Sequence, residues 1–173
     1  MSILNQFRAI TTFVFDVDGV LTDGNVYAFA SGEQVRKMNT RDGFALQLAI
    51  KKGYRVAVIS GGHSEGVASR LNKLGVQDIF MNVHDKQSVL LQYMADQAVT
   101  MKEVLFMGDD IPDYAAMKEA GLPCAPSDAA PEIKMAAKYI CFTGGGAGCA
   151  REVIEKTLKL NDHWELFTDV ASR

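Results

Sequence analysis

Cysteine is scarce in this chain of 173 residues, and the three present, Cys124, Cys141 and Cys149, are an odd number with neither CxxC spacing nor a nearby histidine. That pattern supports neither a zinc site nor a disulfide framework, and it fits a reducing cytoplasm. Basic charge is not in excess either. The formal charge is -3, and no Lys/Arg stripe runs along any segment, so nucleic acid is not an expected partner. Long apolar runs are absent. The first one is broken by Asp16 and Asp18 too early to span a bilayer, and no basic stretch precedes it, so neither a membrane anchor nor an export signal is expected. Repeats and low-complexity segments are missing too. What the chain does have is 48% hydrophobic residues, enough for one substantial core and hence one domain over residues 1–173.

Short runs rich in Val, Ile and Phe alternate with longer amphipathic stretches, the pattern of βαβ units in a doubly wound, parallel-sheet α/β fold. Strands are predicted at 12–17, 55–60, 78–80, 103–107, 122–125 and 139–142. Helices are predicted at 42–52, 64–74, 86–98, 111–120, 130–137 and 147–158. Residues 25–38 break the alternation: NVYAF and EQVRKM flank Ala-Ser-Gly, which reads as a β-hairpin. The tail, 161–173, carries Trp164, Leu166 and Phe167 among polar residues with no clear period; it reads as a frayed end or a docking segment.

Four predicted strands end in groups with useful chemistry. FVFDVDGVLTDG places Asp16 and Asp18 two residues apart, on one side if strand alternation persists, and Gly19 then permits a turn. The carboxyl ends of such strands are where open α/β sheets bind ligands. VAVISGG ends in Ser60, whose hydroxyl, with the free backbone N–H of Gly61, suits a phosphoryl group. NVHDKQS puts Lys86 at a helix start, where the dipole disfavours a cation unless an anion is near. EVLFMGDDIPD ends in Asp109 and Asp110 with Asp113 close behind, a set suited to a hard cation such as magnesium. Each piece alone reads equally as turn, cap or solvated-surface chemistry. Capping does not explain why the ends of four strands carry an acid pair, a hydroxyl, a lysine and an acid cluster in that order.

Taken together these motifs resemble the haloacid dehalogenase superfamily of phosphatases, over nearly the whole chain. The resemblance implies that Asp16 attacks phosphorus, that Asp18 protonates the leaving alcohol and then deprotonates water, and that Ser60 and Lys86 hold the phosphoryl oxygens. It implies Mg2+ held by the Asp16 carboxylate, the Asp18 carbonyl and Asp109, with Asp110 or Asp113 orienting Lys86 or a metal-bound water. No cap domain fits between the motifs; only the hairpin fills the first gap. A bare site needs closing, so a homo-oligomer is expected.

The capless group with a hairpin after DVDGVLTDG looks like the 3-deoxy-D-manno-octulosonate 8-phosphate (Kdo 8-phosphate) phosphatases. KMNTRDGFAL, SRLNKLG and GGGAGCAREVIE share that likeness. It implies a sugar-acid phosphate substrate, a homotetramer with the hairpins in a central barrel, a neighbour's tail over the site, and a role in lipopolysaccharide synthesis. Relatives acting on nine-carbon sialic-type acids tend to carry an acid near Gly62, and its absence favours the eight-carbon substrate. Arg70 and Arg41 are candidates for gripping substrate, since guanidinium forks match carboxylates; surface salt bridges are an equal alternative. His63 is a candidate substrate contact, whereas His84 and His163 show no obvious partner. Met101, Met107 and Met117 read as core filling, and the glycines at 144–148 as a turning loop. Two other classes compete: a phosphoacceptor receiver domain and a non-catalytic assembly module of the same fold. A receiver would place its acceptor acid on the middle strand, where Ser60 stands, and would lack the Asp109 cluster. A module need not keep every catalytic residue.

Overall fold

The computed structural model describes residues 2–165, 169 and 170. Six parallel strands form one sheet in the order β5-β4-β1-β6-β7-β8. They are β1 (Thr12–Phe15), β4 (Arg55–Ile59), β5 (Asp78–Phe80), β6 (Val104–Met107), β7 (Leu122–Ala125) and β8 (Tyr139–Ile140). Two further short strands, β2 (Tyr27–Ala28) and β3 (Gln34–Val35), pair antiparallel as the expected hairpin. Helices α1 (Ile3–Ala9), α2 (Thr40–Lys51), α3 (Glu65–Lys73) and α7 (Cys149–Leu160) pack on one face of the sheet, and α4 (Lys86–Asp96), α5 (Tyr114–Glu119) and α6 (Pro131–Ala136) on the other. The architecture is the doubly wound α/β fold expected. Only the hairpin fills the space between β1 and α2, and only α3 that between β4 and β5, so no cap is inserted there.

Strand β1 shows why the middle of the sheet is fixed. All four of its residues are buried; Phe13 and Phe15 point into the core under α2 and α7, while Val14 points into the core under α4 and α5. A strand covered on both faces is expected to read as a continuous apolar run, and each ring so buried contributes about 1.5–3 kcal/mol. Phe15 is in register with Val58 of β4 and Met107 of β6. The residues just past these three strand ends therefore meet at one place, where the chain order reverses between the halves of the sheet.

Several expectations are corrected. Helix α1 was not foreseen: its seven residues are too short to show a period, yet Ser2 caps it and Phe7 packs edge-on to Tyr139. The helix expected over 111–120 begins as a separate 3-10 turn, Ile111–Asp113, with Pro112 in its first turn, where a missing N–H costs nothing. Met107 and Met117 are buried, but Met101 stands 46% exposed on a surface turn and fills no core. His163 does have a partner, the Tyr54 hydroxyl 2.9 Å from its Nδ1. The start of the tail folds back here: Trp164 lies edge-on to Phe44 and under the Arg151 guanidinium, and Glu165 pairs with Lys52. Leu166 and Phe167 lie outside the described residues.

Candidate active site

The chain leaves β1 at Phe15 and turns tightly over Val17–Leu21, closed by a hydrogen bond from the Thr22 amide to the Val17 carbonyl. Strand alternation therefore does not set the direction of Asp18; the turn does. At its centre Gly19 has φ +81°, and a Cβ there would stand 2.0 Å from Asp109 Oδ2. Glycine is required on both counts. The same turn is braced from outside by the glycine loop before α7, where a Cβ on Gly145 would lie 2.0 Å from the Gly19 carbonyl oxygen. That loop is a buttress for the turn, with the Gly146 amide donating to the Val20 carbonyl at 2.9 Å.

Asp16, Asp18, Ser60, Gly61, Lys86, Asp109, Asp110 and Asp113 all line one cavity of about 330 Å³ at the carboxyl edge of the sheet. Lys86 opens α4, which Asp85 caps by accepting the Ser88 amide. Its ammonium lies 2.9 Å from Asp16 Oδ1 and donates to Asp113 Oδ1 at 2.7 Å. The contact with Asp16 is an ion pair without hydrogen-bond geometry, because Asp16 Oδ1 is buried and has no hydrogen-bond partner. Asp113 orients Lys86 and also accepts the Asp109 amide at 3.1 Å through its other oxygen. Asp110 caps the following turn through the Ile111 amide. Ser60 is buried, and its hydroxyl accepts the Gly62 amide at 3.2 Å.

Carboxylates outnumber cations here, but burial is the larger influence on the acids. Burial pushes the Asp16 carboxyl up to about 7; Asp113 adds to the rise, and Lys86 opposes it. Burial and then Asp16 raise Asp109 to about 7 as well. Burial alone would lower Lys86, but Asp16 and Asp113 outweigh it and hold the ammonium above its ordinary value.

Ligand atoms of Asp16, Asp109 and Asp113 all lie within 4.8 Å of one another. Asp113 is already committed to Lys86 and the Asp109 amide. The Asp18 carboxylate is outside the group. The residues fit a divalent cation: an all-oxygen donor set, a buried Asp16 oxygen without a hydrogen-bond partner, and an Asp109 carboxylate seated against Gly19 where a side chain would block it.

Three sequence candidates do not reach this cavity. Arg41 lines a separate pocket beside α7 with Phe142 and Arg151, because α2 carries it away from the strand ends. Arg70 and His63 line a neighbouring cleft of about 750 Å³ between the hairpin and α3. One residue was missed. Arg36, on the chain leaving the hairpin, donates through Nε to Asp18 Oδ1 at 2.7 Å and through Nη2 to Oδ2 at 3.1 Å. Nothing in the spacing of residues 18 and 36 signals that contact; only the folded hairpin creates it.

Comparison with known proteins places the family. Residues 75–151 match the haloacid dehalogenase-like hydrolase family. The Kdo 8-phosphate phosphatase KdsC of Yersinia pestis is 31% identical over 169 residues, spanning 98% of this chain and 90% of that protein. The Salmonella typhi enzyme is 31% identical over 90% of this chain and 83% of its own. The crystal structure of the Moraxella catarrhalis Kdo 8-phosphate phosphatase in complex with magnesium, phosphate and Kdo is 30% identical, with a TM-score of 0.90 over 93% of both chains. At 31% identity over 98% of its length to such an enzyme, the chain belongs to the haloacid dehalogenase-like hydrolases and, within them, to the Kdo 8-phosphate phosphatase family.

Proposed function

We propose that this protein is a magnesium-dependent phosphatase that hydrolyses Kdo 8-phosphate to Kdo and inorganic phosphate through an aspartyl-phosphate on Asp16. The observation that carries the reading is the convergence of Asp16, Ser60, Lys86 and Asp109 on one cavity, in a chain whose relatives carry that activity. In the scheme, an Asp16 oxygen attacks phosphorus in line and the sugar alcohol leaves. Lys86 and the Ser60 hydroxyl hold phosphoryl oxygens and offset their growing charge. Asp18 gives a proton to the leaving oxygen, then takes one from the water that cleaves the acyl phosphate. Asp113 keeps Lys86 aimed at the phosphoryl group. Asp16 and Asp109, with the Asp18 main chain, would hold Mg2+, which would offset the repulsion between an anionic nucleophile and an anionic ester.

The reading extends to organisation. Residues 1–173 act as one catalytic domain with a flap at 25–38 and a tail from 161. Tyr27, Phe29 and Val35 are exposed on a hairpin of only two-residue strands, which supports burial of the flap in a homotetramer. In that assembly Arg41 and Arg70 are the candidates for gripping the sugar acid. Three buried, unpaired cysteines support a reducing cytoplasm, and the product supports a role in lipopolysaccharide synthesis. Phosphate release from a panel holding Kdo 8-phosphate and its nine-carbon analogues, with Mg2+ or with chelator, tests the reading. The eight-carbon ester should be turned over fastest and only with metal; faster turnover of a nine-carbon ester would reassign the substrate.

A further inference from the structure

The Arg36–Asp18 pair does more than tie the hairpin down. The guanidinium fork covers both oxygens of Asp18, and the Thr22 hydroxyl adds a contact to Oδ1 at 3.5 Å. The Arg36 side chain is 6% exposed, whereas that of Asp18 is 35% exposed. A fork laid on a carboxylate in such a setting is a strong and strongly oriented pair. With both oxygens engaged, neither is free to approach the oxygen of a leaving group. The third nitrogen of the fork, Arg36 Nη1, is buried and has no hydrogen-bond partner, so the resting arrangement leaves a donor unused. Gly62 makes the space: a Cβ there would lie 3.3 Å from both Arg36 Nη2 and Asp18 Oδ2. Arg36 also lines the cleft that holds Arg70 and His63, beside the catalytic cavity.

We propose that Arg36 is a positioning residue that holds Asp18 until substrate enters and then passes its guanidinium to the carboxylate of the sugar acid, which frees Asp18 to take up a proton from solvent and present it to the leaving oxygen. The inference rests on the phosphatase reading. A sugar acid brings a carboxylate that competes for the same fork. A phosphate ester with no carboxylate has nothing to draw Arg36 away and must open the pair unaided.

The two kinds of ester should therefore respond in opposite directions when the fork is removed. The test measures kcat and KM for Arg36→Met and Arg36→Lys with saturating Mg2+, on Kdo 8-phosphate and on p-nitrophenyl phosphate. For Arg36→Met, kcat/KM on the sugar acid should fall on the order of 10- to 100-fold, chiefly through KM, as expected for a lost charge-assisted contact. Its kcat/KM on the aryl ester should hold or rise. Arg36→Lys should recover part of the sugar-acid loss, because an ammonium meets the carboxylate without the fork. Parallel losses on both esters would mean that Arg36 only supports the hairpin, and would overturn the proposal; so would an unchanged rate on the sugar acid. If the unmodified protein turned over neither ester with Mg2+, the phosphatase reading beneath it would be the part that failed.

Discussion

In the absence of metal, raising the pH from about 5 to about 8 should destabilise the protein, and Asp16 sets the scale of the effect. Its carboxyl titrates near 7 in the fold against 3.8 in an unfolded chain, chiefly because burial penalises the charge. A raised folded pKa means that the native state holds the proton longer than the unfolded state. The stability it contributes is complete below about 4 and is lost as pH climbs through about 7. Linkage between those values gives a loss on the order of 2–3 kcal/mol from pH 5 to 8, or roughly 5–10 °C in Tm for a domain of this size. Magnesium binds the ionised acids, so at about 100 times its Kd it should return some 2.7 kcal/mol at pH 8 and far less at pH 5. Asp109, raised to about 7, and Asp42, raised to about 6, each chiefly by burial, titrate in the same window, so the assay needs an internal control. Thermal melts of the unmodified protein and of Asp16→Asn, at both pH values and with chelator or Mg2+, isolate the contribution of Asp16. The variant should show a flatter pH response and a smaller gain from metal. Identical pH slopes for the two proteins would refute the idea that Asp16 is held ionised at a cost that metal relieves.

Other perturbations follow from single contacts. Gly19→Ala places a Cβ on the Asp109 carboxylate at a backbone angle unsuited to alanine, and should cut phosphatase activity on the order of 100-fold while weakening Mg2+ binding in a calorimetric titration. Asp113→Asn removes the better-directed partner of Lys86 and should cost about 1–3 kcal/mol in urea unfolding, with a loss of kcat as the ammonium drifts. If the exposed flap builds the proposed homotetramer, replacing both Tyr27 and Phe29 by Ser should lower the light-scattering mass; an unchanged mass would argue that the flap is not the subunit contact.

Much of this was legible in the sequence because the sheet is buried on both faces. Apolar runs such as TFVF mark strands directly, and the order of strand ends then brings Asp16, Ser60, Lys86 and Asp109 to one edge. Local rules failed where tertiary contacts decide. Strand alternation does not place Asp18, since the chain turns away at Gly19, and the sharpness of that turn depends on Gly145, more than a hundred residues later in the chain. The contact between Arg36 and Asp18 requires the hairpin to fold back over the site. Asp42 accepts the Arg151 amide at 2.7 Å and so ties α2 to α7, and no pattern within either helix reveals that bond. Arg41, singled out because a guanidinium fork matches a carboxylate, lines a pocket apart from the catalytic cavity of its own subunit, a placement set by α2 and not readable from its neighbours in sequence.

The claim on which the mechanism stands is that the carboxylate of Asp16 becomes covalently phosphorylated. Quenching a reaction during turnover, reducing the acyl phosphate with borohydride and mapping the peptides by mass spectrometry tests it directly. The account predicts homoserine at position 16, dependent on Mg2+ and absent from Asp16→Asn. Steady turnover with no modification at that position, or with the label on another acid, would contradict it.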